Sequence, residues 1–155
     1  MSYNGGGGRS SDRPLSGGKG DVREGGIRVP FIVRGPGVEP NSWSHQAVVG
    51  YNLYNTFSDL AGIEEPAPAN TESGSFIHLL KVEEHPIKRS REELVFHFPH
   101  YQGDTPHSAI MLGNYKLLHF YEAKTNELYD LSKDLKESVK LQIKCRRKQP
   151  ISARD

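Results

Sequence analysis

Cysteine is almost absent from the sequence: Cys145 stands alone, so no disulfide can close within the chain and no cysteine framework can staple the fold. Long apolar runs are missing too. No stretch approaches the roughly 20 residues of a membrane-spanning helix, and mean hydropathy is -0.64. Charge of one sign is also lacking, since 20 basic side chains face 19 acidic ones for a formal net charge of +1. Such a balance gives no global field to gather nucleic acid or an anionic membrane, so any anion has to be bound locally. The opening residues, Met1 to Gly8, have neither a basic segment nor an apolar one, so no targeting signal is visible and the compartment is left open. What is there in quantity is glycine, 16 residues, and proline, 10 residues, beside 35% hydrophobic residues in a chain of 155. A soluble, loop-rich globular chain is expected, with no nucleic-acid and no membrane partner.

Along the chain the patterning changes character. Residues 1–26 are glycine-rich and polar and read as loop. The β-branched run Ile27 to Val33, closed by Gly35-Pro36-Gly37, predicts a short strand in which Pro30 marks a strand start, an edge or a bulge. From Asn52, a candidate N-cap, Leu53, Phe57, Leu60 and Ala61 recur at helical spacing before Gly62, predicting a helix over 53–61 with those residues buried. Phe76 to Leu80 suggests one or two helical turns. Period two then takes over at Leu94, Phe96 and Phe98. Ala109–Leu112 and Tyr115–Phe120 are separated only by Gly113-Asn114, the signature of a β-hairpin. Glu127–Leu131 supplies a further antiparallel strand, and the lysine-rich segment after it suggests a short helix. The first half, one strand and one helix, cannot bury enough apolar area by itself and reads as a piece of something larger.

The densest chemical signal lies at Gly17-Gly18-Lys19-Gly20 followed by Glu24-Gly25-Gly26-Ile27-Arg28-Val29-Pro30. Glycines on both sides of a lysine let backbone approach an anion while the ammonium acts on it as a point charge. A nucleotide phosphate loop is excluded, because Gly20 follows Lys19 where Ser or Thr is required and Arg13 stands where its first glycine would be. On spacing alone a flexible loop with a solvated lysine is the favoured reading over an anion site. Seven histidines include His97 and His100, whose spacing across a strand end matches no zinc signature. Cys145, in a basic stretch, reads as a free thiol. The cationic run 144–148 reads as solvated charge.

The lysine motif is similar to the second signature of the type I sulfatases, in which GGKG is followed by EGG and RVP. Val48 to Ile63 resembles that family's helix of the form VVxxDLYPTLLDLAGI, with Asn52 and Asn55 in place of Asp and Pro. The segments 94–101, 109–120 and 127–134 resemble its C-terminal subdomain, and the likeness covers residues 2–138. The resemblance implies an α/β, alkaline-phosphatase-like fold. Residues 1–80 would be the end of the large α/β domain, 81–91 a connector, 92–138 an antiparallel sheet subdomain with a helix, and 139–155 a divergent basic tail. It implies that Lys19 contacts the sulfate of a sulfate-ester substrate, an aryl sulfate or a sulfated glycan, and that His97 and His100 are weaker substrate contacts. Glu24 and Arg28 are expected to brace the loop as an ion pair. Ser2 to Gly6 resembles the family's SDNGG turn, so Asn4 is a candidate ligand for calcium, although Tyr3 replaces the aspartate. The family's nucleophile is a formylglycine made from a C/S-x-P-x-R run, and no such run occurs in these residues. The expectation is therefore a sulfatase portion that is inactive alone. The alternatives are a non-catalytic anion- or sulfated-glycan-binding module and the product of a truncated gene. Oligomeric state is left open.

Overall fold

The computed structural model describes residues 4–7, 12–65, 67–68, 70–83 and 85–143. Three short helices, α1 (Glu24–Ile27), α2 (Asn52–Leu60) and α3 (Ile77–Leu80), precede four strands, β1 (Leu94–Phe98), β2 (His107–Leu112), β3 (Tyr115–Phe120) and β4 (Thr125–Asp130). None of the described helices is long and apolar enough to cross a membrane.

The strands form one antiparallel meander in the order β1-β2-β3-β4. Gly113 opens the two-residue β2-β3 turn at φ 56°, a conformation that a side chain at that position would oppose. Register follows from the alternation: Phe96 faces Ala109, Ala109 faces Leu118 and Leu118 faces Glu127. One face is thus built from Leu94, Phe96 and Phe98, His107, Ala109 and Met111, Lys116, Leu118 and Phe120, and Glu127 and Tyr129. The glycine-rich segment lies against this face. Val22 joins Ala109, Leu118, Phe120 and Tyr129 in the core cluster, and Ile27 of α1 packs on its edge. The helix that meets the sheet is therefore α1, which precedes it by about seventy residues in the chain.

Three expectations are corrected. The strand expected over Ile27–Val33 does not form: Ile27 ends α1, residues 28–34 have no strand partner, and Ile32 is 83% exposed. A strand needs a neighbour to take its backbone hydrogen bonds, and none of the described segments offers one. The helix expected over 53–61 is present as α2, but Phe57 and Leu60 of its apolar face point outward, while Asn52 and Thr56 are buried. It docks by hydrogen bonds to the following segment: Asn52 Nδ2 donates to the Gly74 carbonyl at 3.0 Å, and Phe76 N–H donates to Thr56 Oγ1 at 3.0 Å. Asn52 is accordingly the first helical residue, and Tyr51 holds the N-cap position. Finally, the lysine-rich segment after β4 forms turns. Glu137 sits at φ 54°, incompatible with a helix, and Leu141 returns to bridge Leu128.

Candidate functional site

The two glycine motifs fold onto each other. Gly5 N–H donates to the Gly26 carbonyl at 2.7 Å and Lys19 N–H to the Gly6 carbonyl at 2.9 Å, which sets the segment around Asn4 beside the lysine loop. Gly25 N–H donates to the Ser16 carbonyl at 2.7 Å and closes the base of the loop. The glycines are required by contact as well as conformation. Gly17 and Gly20 have φ of 74° and 89°, and a Cβ on Gly26 would lie 2.0 Å from the Asp21 carbonyl oxygen. A cavity of about 480 Å³ opens over this loop, lined by Gly6, Gly7, Asp12, Arg13, Lys19, Gly103 and their neighbours. Arg13 and Lys19 bring two cations to it. Of its two carboxylates, Asp12 Oδ1 already accepts the Gly6 N–H at 2.8 Å, and Asp21 is turned toward the sheet.

Beneath the loop lies a buried layer of charge. Lys116 Nζ, with 0% of its side chain exposed, is 2.9 Å from Glu24 Oε1 and 2.9 Å from Glu137 Oε1. The first contact is a hydrogen bond, and the second is an ion pair lying off the hydrogen-bond direction. Glu24 Oε2 takes the Arg28 Nε–H at 2.6 Å, and Glu137 Oε2 accepts the Ser16 hydroxyl and the Glu24 N–H at 2.8 Å each. Two carboxylates and two cations leave the cluster neutral, as burial of charge demands. His107 Nε2 lies 3.0 Å from Asp21 Oδ1, and His107 Nδ1 lies 2.6 Å from the Thr105 carbonyl oxygen. Both ring nitrogens therefore face acceptors, and the ring stacks on Phe120 with centroids 5.1 Å apart. Arg23 reaches Asp104 at 2.7 Å and Asp21 at 3.1 Å. Burial opposes its charge, but the two carboxylates outweigh burial and raise its pKa, while its hydrogen bond holds the Asp104 carboxyl below the usual range.

Of the residues expected at a site, Asn4 and Lys19 are brought into one neighbourhood. His97 is elsewhere. It points from β1 to the opposite face of the sheet, where its Nδ1 is 2.6 Å from Ser108 Oγ and 3.1 Å from the Tyr121 hydroxyl. His100 packs edge-on against Phe98, and neither histidine lines the cavity over Lys19. From that part of the chain it is Gln102 and Gly103 that close on Gly20. Glu24 and Arg28 form the expected ion pair, with Glu24 buried and Arg28 half exposed. Sequence reasoning missed Asp12, Arg13, Lys116, His107 and Glu137. Lys116 and His107 had a signal, being polar residues on the apolar face of alternating strands; Glu137 had none.

A calcium ion wants six to eight oxygen donors, several of them charged. Among the described residues no group of three or more His, Cys, Asp or Glu side chains is placed to hold a metal, and in the cavity the Asp12 carboxylate stands beside two cations. This donor set does not fit a calcium site by itself.

Comparison with known proteins identifies the family. The family described as N-sulphoglucosamine sulphohydrolase, C-terminal, matches residues 19–152. The chain belongs to the sulfatase family. A curated sulfatase of Formosa agariphila is 38% identical over 144 residues, which cover 86% of this chain and 26% of that protein. Among solved structures, a 2-O glycosaminoglycan sulfatase shares 27% identity with a TM-score of 0.54, covering 76% of this chain and 26% of its own. A Bacteroides thetaiotaomicron protein of glycosaminoglycan metabolism shares 26% identity with a TM-score of 0.59, covering 81% and 28%. The chain thus spans about a quarter of the length of these relatives, and its fold is the C-terminal part of the alkaline-phosphatase-like sulfatase fold.

Proposed function

We propose that this chain carries the sulfate-contacting lysine of a sulfatase site, Lys19, and does not complete the reaction with its own residues. The observation that carries this reading is the cavity over the glycine loop, in which Lys19 is fixed by its backbone to Gly6 and joined by Arg13. Two cations set in a glycine-lined cavity stabilise the negative charge that grows on sulfate oxygens as the S–O ester bond breaks. The nucleophile has to come from outside these residues, since no C/S-x-P-x-R run is present. The substrate class we favour is a sulfated glycan, on the strength of the glycosaminoglycan-directed relatives.

The test pairs turnover with binding. The purified chain is given a chromogenic aryl sulfate, and its thermal stability is titrated with inorganic sulfate, for the wild type and for Lys19→Ala. No turnover, with sulfate stabilising the wild type and not the variant, is the expected outcome. Turnover lost in Lys19→Ala would refute the absence of a nucleophile. Sulfate stabilisation that persists in Lys19→Ala would refute the role of the lysine. Binding of a sulfated oligosaccharide as tight as the family's substrates require, with no gain in turnover on any addition, would instead favour a non-catalytic glycan-binding module.

A further inference from the structure

We infer that Glu137 is a positioning residue for Lys19, holding both stems of the lysine loop from a segment that follows the last strand. The inference rests on the reading of Lys19 above for its functional meaning, and on the geometry alone for its mechanical part. Ser16 precedes Lys19 by three residues and Glu24 follows it by five, so the two positions bracket the loop. A single carboxylate oxygen, Glu137 Oε2, accepts the hydroxyl proton of the first and the backbone N–H of the second, at 2.8 Å each. The other oxygen faces Lys116 Nζ at 2.9 Å, and the same ammonium holds the Glu24 side chain. The side chains of Glu137 and Lys116 are 0% exposed and that of Glu24 is 2% exposed, so water does not compete for these contacts.

Packing alone would not select this arrangement. Apolar side chains of similar volume would fill the space without the desolvation cost of three buried charges, and buried ion pairs are weak evidence for stability. What the charges add is direction. An anchored carboxylate fixes the separation of Ser16 and Glu24, and Gly25 N–H to the Ser16 carbonyl closes the same base at 2.7 Å. Lys19, at the tip, inherits its placement from that base. Lys116 orients the Glu137 carboxylate and Glu137 orients the loop, so the C-terminal segment through Glu137 belongs to the functional unit.

Hydrogen exchange by amide, read by NMR on the full chain, separates positioning from bulk stability. The variants are Glu137→Gln, which keeps the shape and removes the charge, Glu137→Asp as the conservative change, and Leu94→Ala, a buried β1 site outside the cluster, as a control for global destabilisation. In Glu137→Gln the amides of Lys19 and Gly25 should exchange roughly ten-fold faster than those of Ala109 and Leu118 after each is normalised to the variant's own stability. Leu94→Ala should raise loop and sheet together. Sulfate affinity should fall several-fold in Glu137→Gln, fall less in Glu137→Asp, and hold in Leu94→Ala. Should Glu137→Gln fail to fold, Ser16→Ala removes one of the two loop contacts and should show the same selective loosening. Uniform exchange in both loop variants would overturn the inference. If sulfate fails to stabilise even the wild type, the reading of Lys19 fails, while the exchange pattern still decides whether Glu137 positions the loop.

Discussion

Replacing Lys116 by methionine keeps the length and most of the volume of the side chain and removes its charge, in a place with 0% side-chain exposure. Two carboxylates then share the site with one cation. Glu24 keeps Arg28 at 2.6 Å, but Arg28 is half exposed and its pull is screened; Glu137 keeps only the Ser16 hydroxyl and the Glu24 N–H. Breaking a buried pair from one side costs about 3–5 kcal/mol, because the partner charge stays behind uncompensated. The hydrogen bonds that remain to both carboxylates place this case at the lower end, about 3 kcal/mol. Against a total stability of about 5–15 kcal/mol that is a large fraction. In urea, with a slope of about 2 kcal/mol per molar, the midpoint should fall by about 1.5 M with the slope unchanged. Adding Glu137→Gln to Lys116→Met should restore part of the loss, since it removes the stranded charge, and the double-mutant cycle should show coupling of about 1–3 kcal/mol. A midpoint change equivalent to less than about 1 kcal/mol would mean that water reaches the cluster, and the reasoning would be refuted.

Lys133→Met breaks a pair of similar length to Asp130, yet Lys133 is 81% exposed, so the urea midpoint should be indistinguishable from wild type. Gly26→Ala should be severe, above about 3 kcal/mol, because the new methyl meets backbone oxygens of Asp21 and Gly18 at 2.0 and 2.6 Å. Gly50→Ala, with nothing within 4 Å of the new methyl, should leave thermal melts within about 0.5 kcal/mol of wild type. The Asp104 carboxyl is held below its ordinary range by the Arg23 hydrogen bond, so its stabilising contribution is present above the unfolded pKa of about 3.9 and lost as pH falls through the lower folded value. Asp104→Asn should therefore melt below wild type at about pH 7, with the gap closing below about pH 4; a gap independent of pH would remove Asp104 from the account.

How much of this was legible differs by element, for reasons that can be named. The sheet was readable because period two is a local signal, and because Gly113-Asn114 leaves a two-residue turn little alternative. The same alternation, followed one residue further, sends His97 to the face away from the glycine loop, since Leu94, Phe96 and Phe98 take the inner one. The strand expected at Ile27–Val33 failed because strand propensity is half of a pairing, and the described residues do not supply the other half. The apolar face of α2 was identified correctly as a stripe and incorrectly as buried. Phe57 and Leu60 are 60% and 56% exposed, because the helix docks through Asn52 and Thr56 instead.

The lysine motif was the most legible feature, and it was legible for a reason that local chemistry explains only in part. Gly17, Gly20 and Gly26 are tied to positive φ or to backbone contacts that exclude a Cβ, so this loop tolerates few residue choices and leaves a strong trace in the sequence. The clamp beneath it leaves almost none. Glu137 acts on Ser16 and Glu24 across 121 and 113 residues, from a lysine-rich stretch whose composition suggests a short helix. A residue whose role is set by a contact that distant can be found only once the chain has been folded. Lys116 lies between these cases. A lysine flanked on the same strand face by Leu118 and Phe120 either breaks the pattern or announces a buried counter-charge, and in this fold it announces two.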